Sequence, residues 1–384
     1  MSFAGRRLRR LAGLGAAVLV AALAAACSSG STGPKPAELA SLPDLKPVRL
    51  VWSASVGDAD RFVFSPMLTS EGLFTAARDG TVKRIDPQNG RTLWSMPSER
   101  KLSAGAGADR RTVAVATEGG EVIALDAEKG AVRWRARVSS EVLAAPTVAA
   151  GLVLVRSIDN RIFAFDEEDG KRRWVYQRAP SSLMVRTPAG VTVEGDTAYA
   201  GFSGGKLTAL ALSNGGVRWE ATVAIPKGAT ELERVTDIVG DPAAQGREVC
   251  VAAYQGRVAC YEAASGRQTW ARDMSSINGV SLDARYAYVS DARGSVHALD
   301  RTNGRSIWKQ DKLFLRQPSL PVPLGDVVAV GDFEGYVHFL ARDSGAFVAR
   351  YSTDGSAIRA APLVLPSSVL LVETEDGGLY ALSL

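Results

Sequence analysis

Histidine and cysteine are nearly missing from these 384 residues, at two and three copies. A zinc site needs three or four converging ligands, and no cysteine or carboxylate spacing beside His297 or His338 supplies the others. A serine triad needs a histidine oriented by an acid, and neither histidine shows one along the chain. There is also no glycine-rich phosphate loop, no nucleophile elbow and no pair of carboxylates that the sequence places together. An excess of one charge is lacking as well. The formal net charge is +4, but four of the 45 basic residues precede Cys27 with no acid among them, which leaves 41 basic against 41 acidic residues in the remainder. A neutral body carries no electrostatic footprint for nucleic acid. Long apolar runs are scarce: the one at residues 11–26 falls short of the roughly 20 residues that a bilayer span needs.

That run follows Arg6, Arg7, Arg9 and Arg10, so residues 1–26 read as a secretory signal. It ends Leu23-Ala24-Ala25-Ala26-Cys27, which resembles the lipobox of bacterial lipoproteins and implies that Cys27 is acylated as the new N-terminus. Ala24 stands where that pattern prefers leucine; cleavage at an Ala-x-Ala site with an unmodified Cys27 is the other reading. Residues 28–46, rich in Ser, Gly, Pro and Ala, complete a segment 27–46 that reads as lipidated cysteine plus flexible tether. Residues 47–384 are then the folded body.

What the body has in abundance is a repeat. Gly120-Glu121-Val122-Ile123-Ala124-Leu125-Asp126, followed by Gly130 and Trp134, reads as a strand, a tight turn and a returning strand. The first glycine recurs as Gly80, Gly205, Gly256, Gly294, Gly335 and Gly377, with Asn160 in its place once. Asparagine is the usual second choice where φ must be positive. The turn glycine recurs as Gly90, Gly170, Gly215, Gly266, Gly304 and Gly345. Six of the seven tryptophans lie at one place in the frame, and Trp52 lies one period ahead of Trp94. The last copy stops at Leu384 before its turn and tryptophan strand, while Trp52 has no strand and turn ahead of it. The N-terminal strand can therefore complete the last blade. The expected fold is all-β: an eight-bladed β-propeller of four-stranded antiparallel blades, with blades of roughly 40 to 45 residues and no open sheet edge.

The repeat also absorbs residues that look chemical. Asp86, Asp126, Asp166, Asp300 and Glu262 each precede a turn glycine by four residues, which assigns them to turn capping rather than to a ring of catalytic acids. Cys260 falls where other copies have alanine, so a small buried residue is expected there. Cys250 lies on the preceding strand; whether the two meet in a disulfide depends on a register that the sequence leaves open. Two periods are long: Trp174 to Trp219 spans 45 residues and Trp219 to Trp270 spans 51. Their extra residues follow the third and fourth blades, and insertions in a repeat array map to loops, often on the binding face.

The frame G-x-V-x-A-L-D-x-x-x-G-x-x-x-W resembles the repeat of quinoprotein dehydrogenases and their non-enzymatic relatives. The lipobox, the copy number and the segment Gly331-Asp332-Phe333-Glu334-Gly335-Tyr336-Val337-His338-Phe339 are similar to the lipoprotein B-subunit family of the outer-membrane β-barrel assembly machinery. That resemblance implies a scaffold without catalytic residues, cofactor or metal, anchored by its lipid to the periplasmic side of the outer membrane. It implies binding to the POTRA domains of BamA and to other subunits of the machinery, with nascent outer-membrane proteins as a further candidate partner. The family's Leu-x-Leu-Arg pattern falls on Leu183-Met184-Val185-Arg186, with valine for the second leucine. Its Asp-x-Asp falls on Asp237-Ile238-Val239, with valine for the second acid. Leu183, Val185, Arg186 and Asp237 are thus the expected partner-binding residues. The alternatives are a periplasmic quinoprotein-like dehydrogenase, whose adjacent Cys-Cys pair is missing here, and a polysaccharide-binding propeller, whose aromatic platforms would compete with the repeat for tryptophan.

Overall fold

The computed structural model describes residues 33–42, 44–179, 181 and 183–384. The chain divides into Met1–Pro36 and Ala37–Leu384. In the first unit, residues 33–36 are exposed and carry no regular structure; the signal and Cys27 lie outside the described residues. The second unit holds eight four-stranded antiparallel sheets, each in simple up-and-down order. Seven are built from consecutive strands. The eighth takes Arg49–Ser55 (β1) as its outermost strand, paired with Gly378–Ser383 (β32), so the ring closes as the repeat count requires.

Within a blade the two middle strands are buried along nearly their whole length, as in Thr112–Ala116 and Glu121–Asp126 of the second blade. Both of their faces meet neighbouring blades, which explains continuous apolar runs where a one-sided sheet would alternate. The outermost strand, Val132–Arg137, is largely exposed except at Trp134. A register shift between Ala124 and Leu125 interrupts the pairing beside Trp134, and the same irregularity recurs beside each tryptophan. A bulge re-aims one side chain of a strand, and here that side chain is the indole. The Trp134 N–H donates to the Glu167 carbonyl of the next blade at 2.9 Å, and a Cβ added to Gly170 of that blade's turn would meet the ring at 2.6 Å. The contact recurs from Trp52, which reaches Pro87 O and Gly90, to Trp308, which reaches Arg342 O and Gly345. Glycine at the turn is therefore required twice, by its positive φ of 72° at Gly130 and by the indole beneath it.

The turn acids behave as expected of caps: Asp126 accepts the Glu128 and Lys129 N–H groups at 3.1 and 2.9 Å, and Asp300 accepts those of Thr302 and Asn303. Glu262, one methylene longer, instead holds the side chains of Ser265 and Arg267. Asn160 takes φ 60° as its stand-in role requires; in the fifth blade Gln255, not Gly256, takes the positive φ, at 48°. The part of the 27–46 segment nearest the ring is bonded to it: the Lys46 N–H donates to Val348 O at 2.9 Å and the Ala37 N–H to Phe314 O at 2.9 Å.

Candidate functional site

The two long connections join the outermost strand of one blade to the innermost strand of the next, so both emerge on the same face of the ring. The first runs from Arg172–Gln177 (β13) to Val191–Glu194 (β14), the second from Val217–Thr222 (β17) to Ile238–Gln245 (β18). They bring Leu183, Val185, Arg186 and Asp237 together around one cleft of about 240 Å³. Leu183 is 44 % exposed, with Met184 exposed beside it and Val185 half-buried.

Asp237 is placed differently from a surface contact: it is 4 % exposed and lies at the entry to β18, bridged to Ser203. One carboxylate oxygen accepts the Val185 N–H at 2.6 Å and the other the Gly204 N–H at 3.2 Å. Asp237 therefore latches the loop that carries the exposed residues. Val239, at the place of the second expected acid, is buried and apolar. Asp241, two residues further along, accepts the Gly190 N–H at 2.6 Å and so latches the other end of the same loop. Arg156 completes the base. Its guanidinium donates to Ala189 O at 2.8 Å and sits 5.1 Å from the Phe202 ring centre. Burial pushes Arg156 down to about 10, against the attraction of Asp241 and Asp237. Burial likewise raises both carboxyls above their ordinary range, opposed by the backbone N–H groups and by Arg156.

Arg186 makes a two-pronged ion pair with Glu141, and that hydrogen bonding raises its already high pKa further. The pairing fixes the guanidinium plane while leaving half of the side chain open to solvent. A second cleft of about 270 Å³ separates this loop from the 223–237 connection, where Ile225 and Leu232 are 68 % and 73 % exposed. Sequence reasoning marked both connections by length but missed Glu141, Arg156 and Asp241. Of these only Asp241 carried a signal, as an acid two residues past the position that had lost one.

The remaining candidates are structural. Each histidine does have an orienting acid, contrary to expectation: His297 Nε2 is 2.9 Å from Asp291 and His338 Nε2 is 2.8 Å from Asp332. The same hairpin folds Asp and His together in the sixth and seventh blades, a D-x₅-H spacing visible in the sequence. Among the described residues no serine hydroxyl completes a triad at His338, whose Nδ1 instead accepts from Arg350 Nε at 3.3 Å. Cys250 and Cys260 face each other in register, both fully buried, and their sulfurs are bonded. That bond also removes the thiolates from the nearby grouping with Glu248, the one cluster with metal-like spacing among the described residues. A cavity of about 760 Å³ is lined by segments leading into six blades; its charged lining residues are Asp241 and Arg359. Asp241 is already committed to Gly190, and Arg359 pairs with Glu375 at 3.2 Å.

Residues 78–310 match a family described as "Outer membrane protein assembly factor BamB". A protein of that description from Bordetella pertussis is 45 % identical over 370 residues, covering 95 % of each chain. One from Pseudomonas aeruginosa is 46 % identical over 357 residues, covering 92 % of this chain and 94 % of the relative. The crystal structure of BamB from Moraxella catarrhalis is similar with a TM-score of 0.80 at 27 % identity, covering 88 % of this chain and all of that one.

Proposed function

The chain belongs to the BamB family of outer-membrane protein assembly factors, a non-enzymatic family, and from that membership we propose that it binds the periplasmic POTRA domains of BamA through the 183–186 loop while acylated Cys27 anchors it to the periplasmic side of the outer membrane. The observation that carries the partner reading is a short loop latched at both ends from below. Asp237 and Asp241 hold its backbone, Arg156 its last carbonyl, and Glu141 its arginine. A loop ordered before it meets a partner loses less conformational freedom on binding. It offers Leu183 and Met184 for apolar burial and a fixed guanidinium for a carboxylate or carbonyl on the partner. The seven tryptophans are taken up in the seams between blades, which leaves no indole platform for a polysaccharide.

The test is calorimetric titration of the purified propeller with the POTRA domains. Arg186→Ala and Leu183→Ser should each weaken binding about 30-fold, the equivalent of about 2 kcal/mol, with the melting curve of Leu183→Ser unchanged. Asp237→Asn should weaken binding and also lower stability by about 1 to 3 kcal/mol, because it leaves a buried N–H poorly satisfied. Wild-type affinity in both surface variants would move the partner site elsewhere. For the anchor, Cys27→Ala should shift the protein from the membrane to the soluble periplasmic fraction, and an unchanged fractionation would end the acylation reading.

A further inference from the structure

We propose that the outer edge of the seventh blade is a binding site for an extended peptide backbone, filled in cis by the described residues between Ala37 and Lys46, which act as a strap across the eighth seam. Seven seams of the ring are locked by an indole that donates to a carbonyl of the next blade and packs on its turn glycine. The seam between the seventh and eighth blades has no such indole: Ala349 pairs with Phe339 in the register where Trp134 pairs with Ala124.

The strap crosses that seam instead. Val48, just ahead of the eighth blade's outermost strand, packs against a cluster drawn from both blades, including Leu324, Phe339, Leu370 and Leu382. Upstream, the Lys46 N–H donates to Val348 O, Arg350 Nη1 donates to Ala40 O at 3.1 Å, and Arg316 Nη1 donates to Ala37 O at 3.1 Å. The Ala37 N–H closes the set on Phe314 O. Leu39, Leu42 and Leu45 are half-buried at a spacing of three, while Glu38, Ser41 and Asp44, each one residue ahead, are exposed.

Both arginines are held in place for this. Arg316 is 2 % exposed; its Nε donates to Asp332 at 2.7 Å and its Nη2 to Glu334 at 2.6 Å, which leaves Nη1 for the strap. Arg350 is steered by His338, whose Nδ1 accepts from it while Nε2 faces Asp332. That arrangement requires a neutral imidazole, and burial does push His338 below its ordinary range against the pull of Asp332. The segment 331–339 that marked the family in the sequence is thus the scaffold of this clamp. The strap also has a consequence for the anchor, which rests on the acylation of Cys27. With the clamp closed, nine residues, 28–36, separate the lipid from the ring, a reach of about 30 Å at 3.3–3.6 Å per residue, against about 65 Å if the chain were free up to Lys46.

Hydrogen exchange on the full-length lipoprotein in detergent tests the strap. The amides of Ala37 and Lys46, which donate to ring carbonyls, should exchange at least tenfold more slowly than in a free peptide of that sequence. Arg350→Ala and the double variant Leu42→Ser/Leu45→Ser should each remove that protection while the strand Tyr336–Ala341 keeps its own. The soluble Cys27→Ala form should retain the protection, so a failed acylation reading leaves the strap standing. Free-peptide exchange in the unaltered protein, or retained protection in both variants, overturns the proposal. In vesicles containing dansyl-labelled lipid, energy transfer from the ring tryptophans should fall in Arg350→Ala; unchanged transfer overturns the shortened leash.

Discussion

Glu373 is a buried carboxyl with one oxygen left without a hydrogen-bond partner among the described residues. Burial raises its pKa well above the ordinary carboxyl value. A group whose folded pKa exceeds its unfolded value adds stability that is fully present below the unfolded pKa and is lost as pH rises through the folded one. The wild-type protein should therefore lose stability between pH 5 and pH 9 relative to Glu373→Gln, with a gap of about 1 to 3 kcal/mol at the alkaline end, the usual scale for an unsatisfied buried polar group. Urea unfolding of both proteins across that range checks it; parallel curves would mean that Glu373 does not titrate with folding. Single residues of this kind were hard to read in the chain. Glu373 lies ahead of a frame glycine like many other acids, and only the packing of the first and eighth blades buries it. Asp237 was expected at the partner surface from the resemblance alone, and its role as a latch beneath the loop follows from the fold of the segment above it.

At the level of the element, the strands, turns and tryptophans could be read because each is set by local chemistry repeated eight times. The pairing of Cys250 with Cys260 could not, since a slip of one residue turns every side chain to the other face. Strands Glu248–Ala253 (β19) and Arg257–Glu262 (β20) place the two directly opposite. Closing so short a loop removes freedom from the unfolded chain, with about 2 to 3 kcal/mol expected from loop-closure entropy. Cys250→Ala/Cys260→Ala, with alanine already the frame residue at the second position, should lower the denaturation midpoint accordingly. The wild type unfolded and refolded with reductant should match it. Equal midpoints with and without the bond would show that its contribution is cancelled elsewhere. The two long connections were visible as extra length alone. Which residues of the first face outwards was settled by Arg156 of the third blade, Glu141 of the connection ahead of that blade, and Asp237 and Asp241 at the fifth.

For the whole molecule, closure by the N-terminal strand makes Trp52 equivalent to the other six tryptophans, with its N–H on Pro87 O and its ring beneath Gly90. It joins the last blade to the first, so its loss should be felt around the ring. Trp52→Ala should destabilise the propeller by about 3 to 5 kcal/mol while unfolding remains a single transition by circular dichroism and by fluorescence. A separate early transition confined to the terminal blade would contradict a cooperative ring.

The sequence by itself determined the repeat, the number of blades, the closure and the two connections that carry the candidate partner site. Each of these depends on strand periodicity, turn glycine and indole placement, which act within about fifteen residues and recur. Tertiary structure alone decided the disulfide register, the inward turn of Asp237, the hold of Asp241 on Gly190, and the clamp of Arg316 and Arg350 on the strap. These join residues up to 310 positions apart. Such contacts are fixed by which blades the closed ring makes neighbours, and no local pattern encodes them.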